Sequence, residues 1–389
     1  MRISLPRCAF QVLLGIYVFS SALLPGHAQS RRVVDQDLKQ RDTPQCGSTK
    51  DATPSGLAVV LASGQDTGIY RRDQYLQALN NRFMSGVAVQ INWRDIEPVQ
   101  GKPDWSTLDD LLVAAESSNK WMQLLIFPGF FSPAWALEGV DTDEFPIPYG
   151  PGHGTSAALP MPWDRVYLGR WLAFVKRLSE RYGGSPAFRM MAASGPTSVS
   201  AEMSLPVGRM AVTKFLAHGY TPQRYLAAWD RIFQAYAEYF PNQCISLSGP
   251  NIPILENGRV IDRAGHMRAR LAIIEKGSRI FGRRFAIQWS DLHAGHARVE
   301  APDQTSLVIG YSGRIITGLQ MRGGSRGPIP SKIMGAEGDP PLALRRSIDK
   351  GMALNKAGQH VDYLEIYMGD VLAADMQPIL QYGASLFRR

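Results

Sequence analysis

Short apolar segments alternate with longer segments of helical periodicity along most of this 389-residue chain. The short segments have the length and composition of buried strands, and the longer ones repeat apolar residues about every 3.6 positions. We predict eight strands, over residues 56–62, 87–93, 121–127, 188–193, 244–248, 284–289, 316–321 and 362–367. Eight strands that alternate with helices are typical of an α/β protein that forms a (β/α)8 barrel. We predict this barrel as one domain over residues 55–389.

The segments between the strands carry signals for the starts and ends of helices. We predict helices over residues 106–117, 163–182, 222–239, 263–281 and 342–356. Pro222 after Thr221 is typical of a helix start, and Gly183 and Gly358 are typical of helix ends. A doubly wound sheet is the structural alternative. It usually needs a glycine-rich nucleotide loop after its first strand, and residues 62–65 offer only Gly64.

The first residues have the pattern of a secretory signal peptide. Arg2 and Arg7 precede an apolar stretch over residues 9–24, and small residues lie before a cleavage position after Ala28. We predict a signal peptide over residues 1–28, a strap or linker over residues 29–54, and a secreted or periplasmic mature protein. An uncleaved anchor is the alternative. No later segment is a candidate span, so we expect no stable membrane insertion after cleavage.

Cysteine count and charge limit the partners of the mature chain. It keeps Cys46 and Cys244, which could pair in an oxidising compartment. The net charge is +8, from 42 Lys and Arg against 34 Asp and Glu, and it is spread along the chain. A spread excess is typical of a solvated surface, so we expect no nucleic-acid partner.

The alternation within the strands places many polar side chains inside the barrel. The outer face of each strand packs on helices and must be apolar, so the polar positions face inward. These inward positions are Gln90, Asn92, Gln123, Ser246, Ser248, Gln288, Ser290, Gln320, Tyr363, Glu365 and Tyr367. Buried polar groups need partners, so we expect a hydrogen-bonded network under a site. A structural network without a site above it is the alternative.

A long segment after the third strand, residues 128–162, has little regular pattern but many aromatic residues. Loops that follow barrel strands lie on the face where barrel active sites occur, and structureless loops of this length are often functional. Flat aromatic side chains suit the apolar faces of sugar rings. Trp135 and Trp163 are the candidates here, with plain packing as the alternative.

The second strand and the residues after it resemble a known family signature. Residues 87–98 read VAVQINWRDIEP, residues 101–109 read GKPDWSTLD, and residues 132–135 read SPAW. This resembles the second- and third-strand pattern of clan A glycoside hydrolases, most closely family 42 β-galactosidases. In that pattern Glu97 is structural and shapes the loop. The resemblance implies a barrel that hydrolyses O-glycosidic bonds without a cofactor.

The clan's mechanism implies an acid/base after the fourth strand and a nucleophile after the seventh. Glu202 is the only carboxylate between Met190 and Trp229, so it is the acid/base candidate, although the clan's usual Asn-Glu pair is absent. A surface glutamate is the alternative. The mechanism needs one protonated and one ionised carboxyl, whose environments push their pKa values apart.

The seventh strand departs from the clan because it has no carboxylate at its end. The inward-facing Glu365 on the eighth strand is the expected substitute, with Asp291 after the sixth strand as a third candidate and Glu337 further along the chain. A structural acceptor in the network is the alternative for Glu365. The Asp-x-His spacing of Asp291 and His293, with His296 after it, resembles that of metal ligands. No further ligand with a matching signature completes the set, so we expect no metal.

We therefore predict a secreted glycoside hydrolase acting on a poly- or oligosaccharide. The alternatives are a catalytically inactive barrel that binds carbohydrate or protein, and a lyase using Glu365 and Tyr367. The expected substrate-binding residues are Asn92, Trp93, Trp135, Trp163, Gln288, Trp289, Gln320 and Tyr367.

Overall fold

A computed structural model describes most of the chain. The described residues are 45–46, 53–62, 72–147, 153–196, 200–206, 208–252, 254, 263–295, 304–326 and 338–388. The predicted signal peptide, most of the 29–54 strap, His296 and Glu337 lie outside them. Within the described residues, no helix combines the length and the apolar character needed to cross a membrane.

Eight parallel strands form a closed barrel, which confirms the predicted fold. The strands are β1 (Gly56–Ala62), β2 (Gly86–Asn92), β3 (Trp121–Phe127), β6 (Phe188–Ala192), β7 (Cys244–Ser248), β8 (Phe285–Leu292), β9 (Ile316–Met321) and β10 (Tyr363–Tyr367). They pair in chain order, and β10 closes the ring against β1 with Glu365 opposite Ala58. Every strand is thus paired on both sides, so the carboxyl ends of all eight meet at one face.

Helices lie between the barrel strands. They are α1 (Arg72–Leu79), α2 (Trp93–Ile96), α3 (Ser106–Ser117), α4 (Ala134–Leu137), α5 (Arg165–Tyr182), α6 (Arg209–Ala217), α7 (Pro222–Tyr239), α8 (Arg263–Phe281), α9 (Gln304–Tyr311), α10 (Pro340–Gly351), α11 (Met368–Leu372) and α12 (Gln377–Leu386). The side chain of Asp164 caps α5 and that of Thr221 caps α7, because each accepts a backbone N–H of the first turn. The predicted bounds of α3, α7 and α8 are confirmed.

The helix predicted over residues 342–356 is shorter at its end, because α10 stops at Gly351. The side chain of Asn355 accepts the backbone N–H groups of Ala357 and Gln359, at 2.9 and 3.0 Å. It also donates to the carbonyl of Ser312 at 3.0 Å. These bonds offer the backbone a turn in place of another helical turn. Gly358 therefore belongs to this turn, and the prediction that it ends the helix was wrong.

The segment over residues 128–162 is more regular than predicted. It contains α4 and an antiparallel hairpin of β4 (Thr142–Pro146) and β5 (Ser156–Pro160). Phe145 on β4 is fully buried and stacks on Phe215 of α6, with 4.6 Å between ring centroids. The expectation of a structureless loop after the third strand was wrong for this part, because the hairpin packs on α6.

The floor of the barrel holds a small apolar cluster and a disulfide. Its members are Cys46, Ala58, Trp121, Met190, Cys244, Ala286, Ile316 and Tyr363. Cys46 is bonded to Cys244, whose Cα lies 5.0 Å away, and the backbone N–H of Gln45 donates to the carbonyl of Arg283. The disulfide therefore ties residues 45–46 to the start of β7, at the end of the barrel opposite the carboxyl ends.

Candidate functional site

A network of buried polar side chains fills the middle of the barrel. We call it the lumen network, and its members are Gln123, Ser246, Gln288, Gln320, Tyr363 and Glu365. The Nε2 of Gln123 donates to the Oγ of Ser246 at 2.9 Å and to the Oε1 of Gln288 at 3.0 Å. The Tyr363 hydroxyl donates to the same Gln288 oxygen at 2.8 Å. For these six of the eleven predicted positions, the prediction of an inward-facing, hydrogen-bonded network is confirmed.

Gly318 makes room for this network. A Cβ at this position of β9 would lie 2.0 Å from the Tyr363 ring, so the position requires glycine. The absence of a side chain there lets the Tyr363 ring cross the barrel and reach Gln288 on β8.

Glu365 is the only carboxyl of the lumen network, and it is fully buried. The Nε2 atoms of Gln288 and Gln320 both donate to its Oε2, at 2.9 and 2.7 Å. Burial raises the pKa of Glu365 to about 8, against the opposing effect of the two amide donors. Below that pH the carboxyl is neutral, and a neutral carboxyl is a poor nucleophile. The geometry therefore fits Glu365 better as a hydrogen-bonding group beneath the site than as an attacking group.

Glu202 lies at the carboxyl ends of the strands. Its backbone pairs with Ser248 at the end of β7, and the N–H of Met203 donates to the carbonyl of Ser248 at 3.0 Å. The Glu202 residue is half-buried. Burial raises the pKa of its carboxyl, and hydrogen bonds from Ser290, Ser200 and Ser248 only partly oppose the shift. A carboxyl with a raised pKa at this face is suited to donate a proton.

Asp291 is close enough to Glu202 for its charge to contribute to that raised pKa. The Asp291 side chain is 42% exposed, and its Oδ1 lies 3.2 Å from the Nε of Arg322 at the end of β9. Solvent and the guanidinium both favour a charged carboxylate. Two neighbouring carboxyls thus have different environments, one desolvated and one ion-paired.

The residues expected to bind substrate on β2 occupy two different places. Asn92 is buried at the end of the strand, and its Nδ2 donates to Asp95 at 2.7 Å. Trp93 is fully buried outside the barrel, where its Nε1 donates to Glu97 at 3.1 Å and its ring packs against Trp171. A ring without exposed surface cannot stack on a sugar, so we remove Trp93 from the candidate substrate-binding residues. Glu97 also accepts the N–H of Gly101 at 2.8 Å, in agreement with a structural role.

The other aromatic candidates are also held by protein contacts. Trp135 is half-buried, and its Nε1 donates to the carbonyl of Glu97 at 2.9 Å. Trp163 is buried against Tyr220, with the Arg224 guanidinium over its ring. These contacts show plain packing for Trp163 and leave part of Trp135 exposed.

Three candidates lie within or directly above the lumen network. Gln288 and Gln320 are buried, and their amides are committed to Glu365. Tyr367 is half-buried at the end of β10, and its hydroxyl lies 3.5 Å from the Oε1 of Gln320. Gln288 is thus beneath the site and not in it, whereas Tyr367 remains a candidate contact residue.

No group of three possible metal-ligating side chains occurs in the described part of the chain. Asp291 is instead paired with Arg322, and His296 lies outside the described residues.

Sequence reasoning missed Arg270 on α8, which is buried close to Glu202. A signal for it exists, because Ile273 and Ile274 are buried at three and four positions further along the same helix. This periodicity places Arg270 on the face of α8 that packs against the barrel.

Comparisons with known proteins find similar barrels among solved structures only. No family model and no curated protein matches the chain. A β-galactosidase from the haloarchaeon Halorubrum lacusprofundi superposes with a TM-score of 0.52 at 12% identity, over 86% of this chain and 58% of the other. The β-amylase catalytic domain from Paenibacillus polymyxa gives 0.53 at 11%, over 86% of this chain and 99% of that domain. The exo-β-1,4-mannosidase Op5Man5 from Opitutaceae bacterium strain TAV5 gives 0.51 at 13%, over 90% and 63%.

The chain has the (β/α)8 barrel fold of these glycoside hydrolases. It spans less than two thirds of the β-galactosidase and mannosidase chains and nearly all of the β-amylase domain. At such identities the similarity establishes the fold alone, so activity has to be argued from the site.

Proposed function

We propose that this chain is an O-glycosyl hydrolase of poly- or oligosaccharides, in which Glu202 is the general acid and Asp291 is the second carboxyl. The single observation that carries the proposal is the proximity of these two carboxyls at the carboxyl ends of the strands. Burial raises the pKa of Glu202, whereas the partly exposed Asp291 is ion-paired with Arg322. Pairs of carboxyls with such divided environments are the hallmark of acid/base assignments in glycosidases.

Each residue has a defined task in this reaction. Glu202 protonates the glycosidic oxygen as the bond to the anomeric carbon breaks. Asp291 stabilises the positive charge that develops on the sugar, and either attacks the anomeric carbon or activates a water molecule. The Tyr367 and Asn92 side chains lie at the same strand ends, and in this proposal they bind sugar hydroxyls. The chemistry needs no cofactor.

The test is turnover by variants of the two carboxyls, measured as release of reducing ends from a panel of polysaccharides. We expect Glu202→Gln and Asp291→Asn each to reduce kcat by about 10²–10⁴-fold. Glu180→Gln, an exposed glutamate on α5, is the matched control and should retain full activity. The anomeric form of the first product, read by NMR, distinguishes direct attack by Asp291 from attack by water.

Glu365→Gln separates the two candidates for the second carboxyl. Glutamine reproduces the neutral form of Glu365 and still offers an oxygen to Gln288 and Gln320. We expect this variant to keep most of its turnover at neutral pH. Loss of turnover in Glu365→Gln together with an active Asp291→Asn would move the nucleophile to Glu365, as the sequence pattern implies.

A binding barrel without catalysis is the second candidate, because β9, the seventh barrel strand, ends in Gln320-Met321-Arg322 without a carboxylate. The same panel tests it. Retention of the protein by a polysaccharide, with no reducing ends released by the native chain, would favour binding alone.

We further propose that residues 1–28 are a signal peptide and that the mature protein works outside the cytoplasm. The disulfide between Cys46 and Cys244 supports an oxidising compartment. Amino-terminal sequencing of the protein recovered from a secreting bacterial host should find Gln29 first. An intact Met1 on the recovered protein would contradict cleavage.

A further inference from the structure

Arg270 is a buried arginine that forms no ion pair with the residues that the structure describes. It lies on α8 and is only 8% exposed. Its Nε and Nη1 atoms are enclosed and have no hydrogen-bond partner within the described part of the chain. The guanidinium lies over the ring of Trp289, 5.5 Å from its centroid. Among the described residues, this cation–π contact and the nearby Glu202 are the groups that stabilise the charge.

That stabilisation is small compared with the cost of burial. A cation–π contact stabilises a charge only weakly, whereas burial of a charge without hydrogen-bond acceptors is strongly unfavourable. Burial lowers the pKa of Arg270 to about 10, so the side chain is still charged at neutral pH. A buried charged group without hydrogen-bond acceptors requires an explanation, and a ligand that supplies the acceptors is one such explanation.

The surroundings of Arg270 place it at the proposed active site. Glu202 lies close enough to the guanidinium for the two groups to interact electrostatically. Gly249, directly after β7, lies between Trp289 and Glu202. A Cβ at this position would be 3.7 Å from the Trp289 ring and 3.9 Å from the Cδ of Glu202. Trp289, Glu202 and the guanidinium therefore meet at the carboxyl ends of β7 and β8.

We propose that Arg270 forms an anion subsite beside Glu202, which binds the carboxylate or sulfate of an acidic sugar unit in the substrate. This inference rests on the proposed hydrolase function and specifies its substrate class. A guanidinium presents several N–H groups in one plane and binds planar carboxylates or sulfate oxygens through paired hydrogen bonds. Without Arg2 and Arg7 of the proposed signal peptide, the net charge of +8 becomes +8 − 2 = +6, which favours the approach of a polyanionic glycan.

The test measures binding by the full mature chain in a Glu202→Gln background, which prevents turnover. The probes are pairs of polysaccharides, each an acidic polymer and its neutral derivative, compared by affinity electrophoresis and calorimetry. Uronic-acid polymers are paired with their carboxyl-reduced forms, and sulfated polymers with their desulfated forms. We expect at least one acidic member to bind about 10–100-fold tighter than its neutral partner. The kind of pair that shows the difference identifies carboxylate or sulfate.

Two arginine variants show whether Arg270 causes the preference. Arg270→Gln should abolish the preference for acidic polymers, and Arg270→Lys should retain part of that preference. Arg268→Gln is the matched control, since Arg268 is exposed on the same helix and its loss changes the net charge equally. Thermal unfolding of Arg270→Gln should occur at the same or a higher temperature than that of the parent, because the variant removes an unpaired buried charge.

Each outcome decides the inference. Equal binding of acidic and neutral members in every pair overturns it, as does an acidic preference that survives Arg270→Gln or falls equally in Arg268→Gln. A lower unfolding temperature with an unchanged preference assigns Arg270 a structural role. The hydrolase proposal fails separately: acidic binding that needs Arg270, with no reducing ends released by the native chain, leaves the subsite standing without the reaction.

Discussion

Replacement of Glu365 by glutamine tests the electrostatics of the lumen network. The carboxyl is enclosed in the middle of the barrel, and both of its hydrogen-bonded neighbours are neutral amides. Burial raises its pKa from 4.5 to about 8. Glutamine has nearly the same shape as the protonated carboxyl and cannot ionise. The substitution therefore removes the ionisation and leaves the hydrogen bonds to the remaining oxygen in place.

The expected effect on stability follows from proton linkage. The unfolded chain releases the proton of Glu365 near pH 4.5, whereas the folded chain keeps it until about pH 8. Between these values the unfolded state binds fewer protons, so the free energy of unfolding falls as pH rises. The loss is about 1.4 kcal/mol for each pH unit, which gives a total on the order of 4–5 kcal/mol above pH 8.

Urea unfolding followed by tryptophan fluorescence, at pH 5 to pH 9, measures this effect. We expect Glu365→Gln and the native chain to differ by less than about 1 kcal/mol at pH 5. At pH 9 the variant should be more stable by several kcal/mol, about the magnitude derived above. Other buried carboxyls, such as Asp362 with its pKa raised to about 6, contribute equally to both proteins and cancel. Glu180→Gln should show no pH-dependent difference, and a constant difference for Glu365→Gln would refute the reasoning.

Two further predictions concern the supports of the barrel. Cys46→Ser should lower the free energy of unfolding by about 2–5 kcal/mol, because the disulfide closes a loop across 198 residues. Urea unfolding with and without reductant measures this, and a native chain insensitive to reductant would contradict it. Glu97→Gln should lower the free energy of unfolding by about 2–3 kcal/mol, since it breaks the ion pair of the fully buried Glu97 with Arg177. Turnover per folded molecule should not change; a parallel loss of turnover would show that Glu97 takes part in catalysis.

The sequence predicts the barrel well because two strong periodic signals agree along most of the chain. Strand alternation also identifies the lumen network, since the pleat sends every second side chain to the same face. Gln123, Gln288 and Glu365 meet as that parity requires. The strand pattern does not predict the charge state of Glu365, because that state depends on the balance between burial and the amides that two other strands supply.

The missed features have weak or misleading local signals. The hairpin strand Thr142–Pro146 has one buried residue in five, so its alternation is hardly visible against a loop. Trp93 follows a strand that ends at Asn92, and the chain there turns into α2, which carries the indole ring to the outside of the barrel. The ion pair of Asp291 and Arg322 joins residues on neighbouring strands that no local motif connects.

The closure of the barrel by β10 also has a consequence for synthesis of the chain. Until β10 emerges, β1 and β9 are open strand edges, and the Nε2 groups of Gln288 and Gln320 have no acceptor from Glu365. Open parallel edges pair readily with other chains. A polypeptide released before residue 363 is therefore expected to bind chaperones or to aggregate, and not to form a smaller folded barrel. The barrel can therefore close only after the last strand has been synthesised.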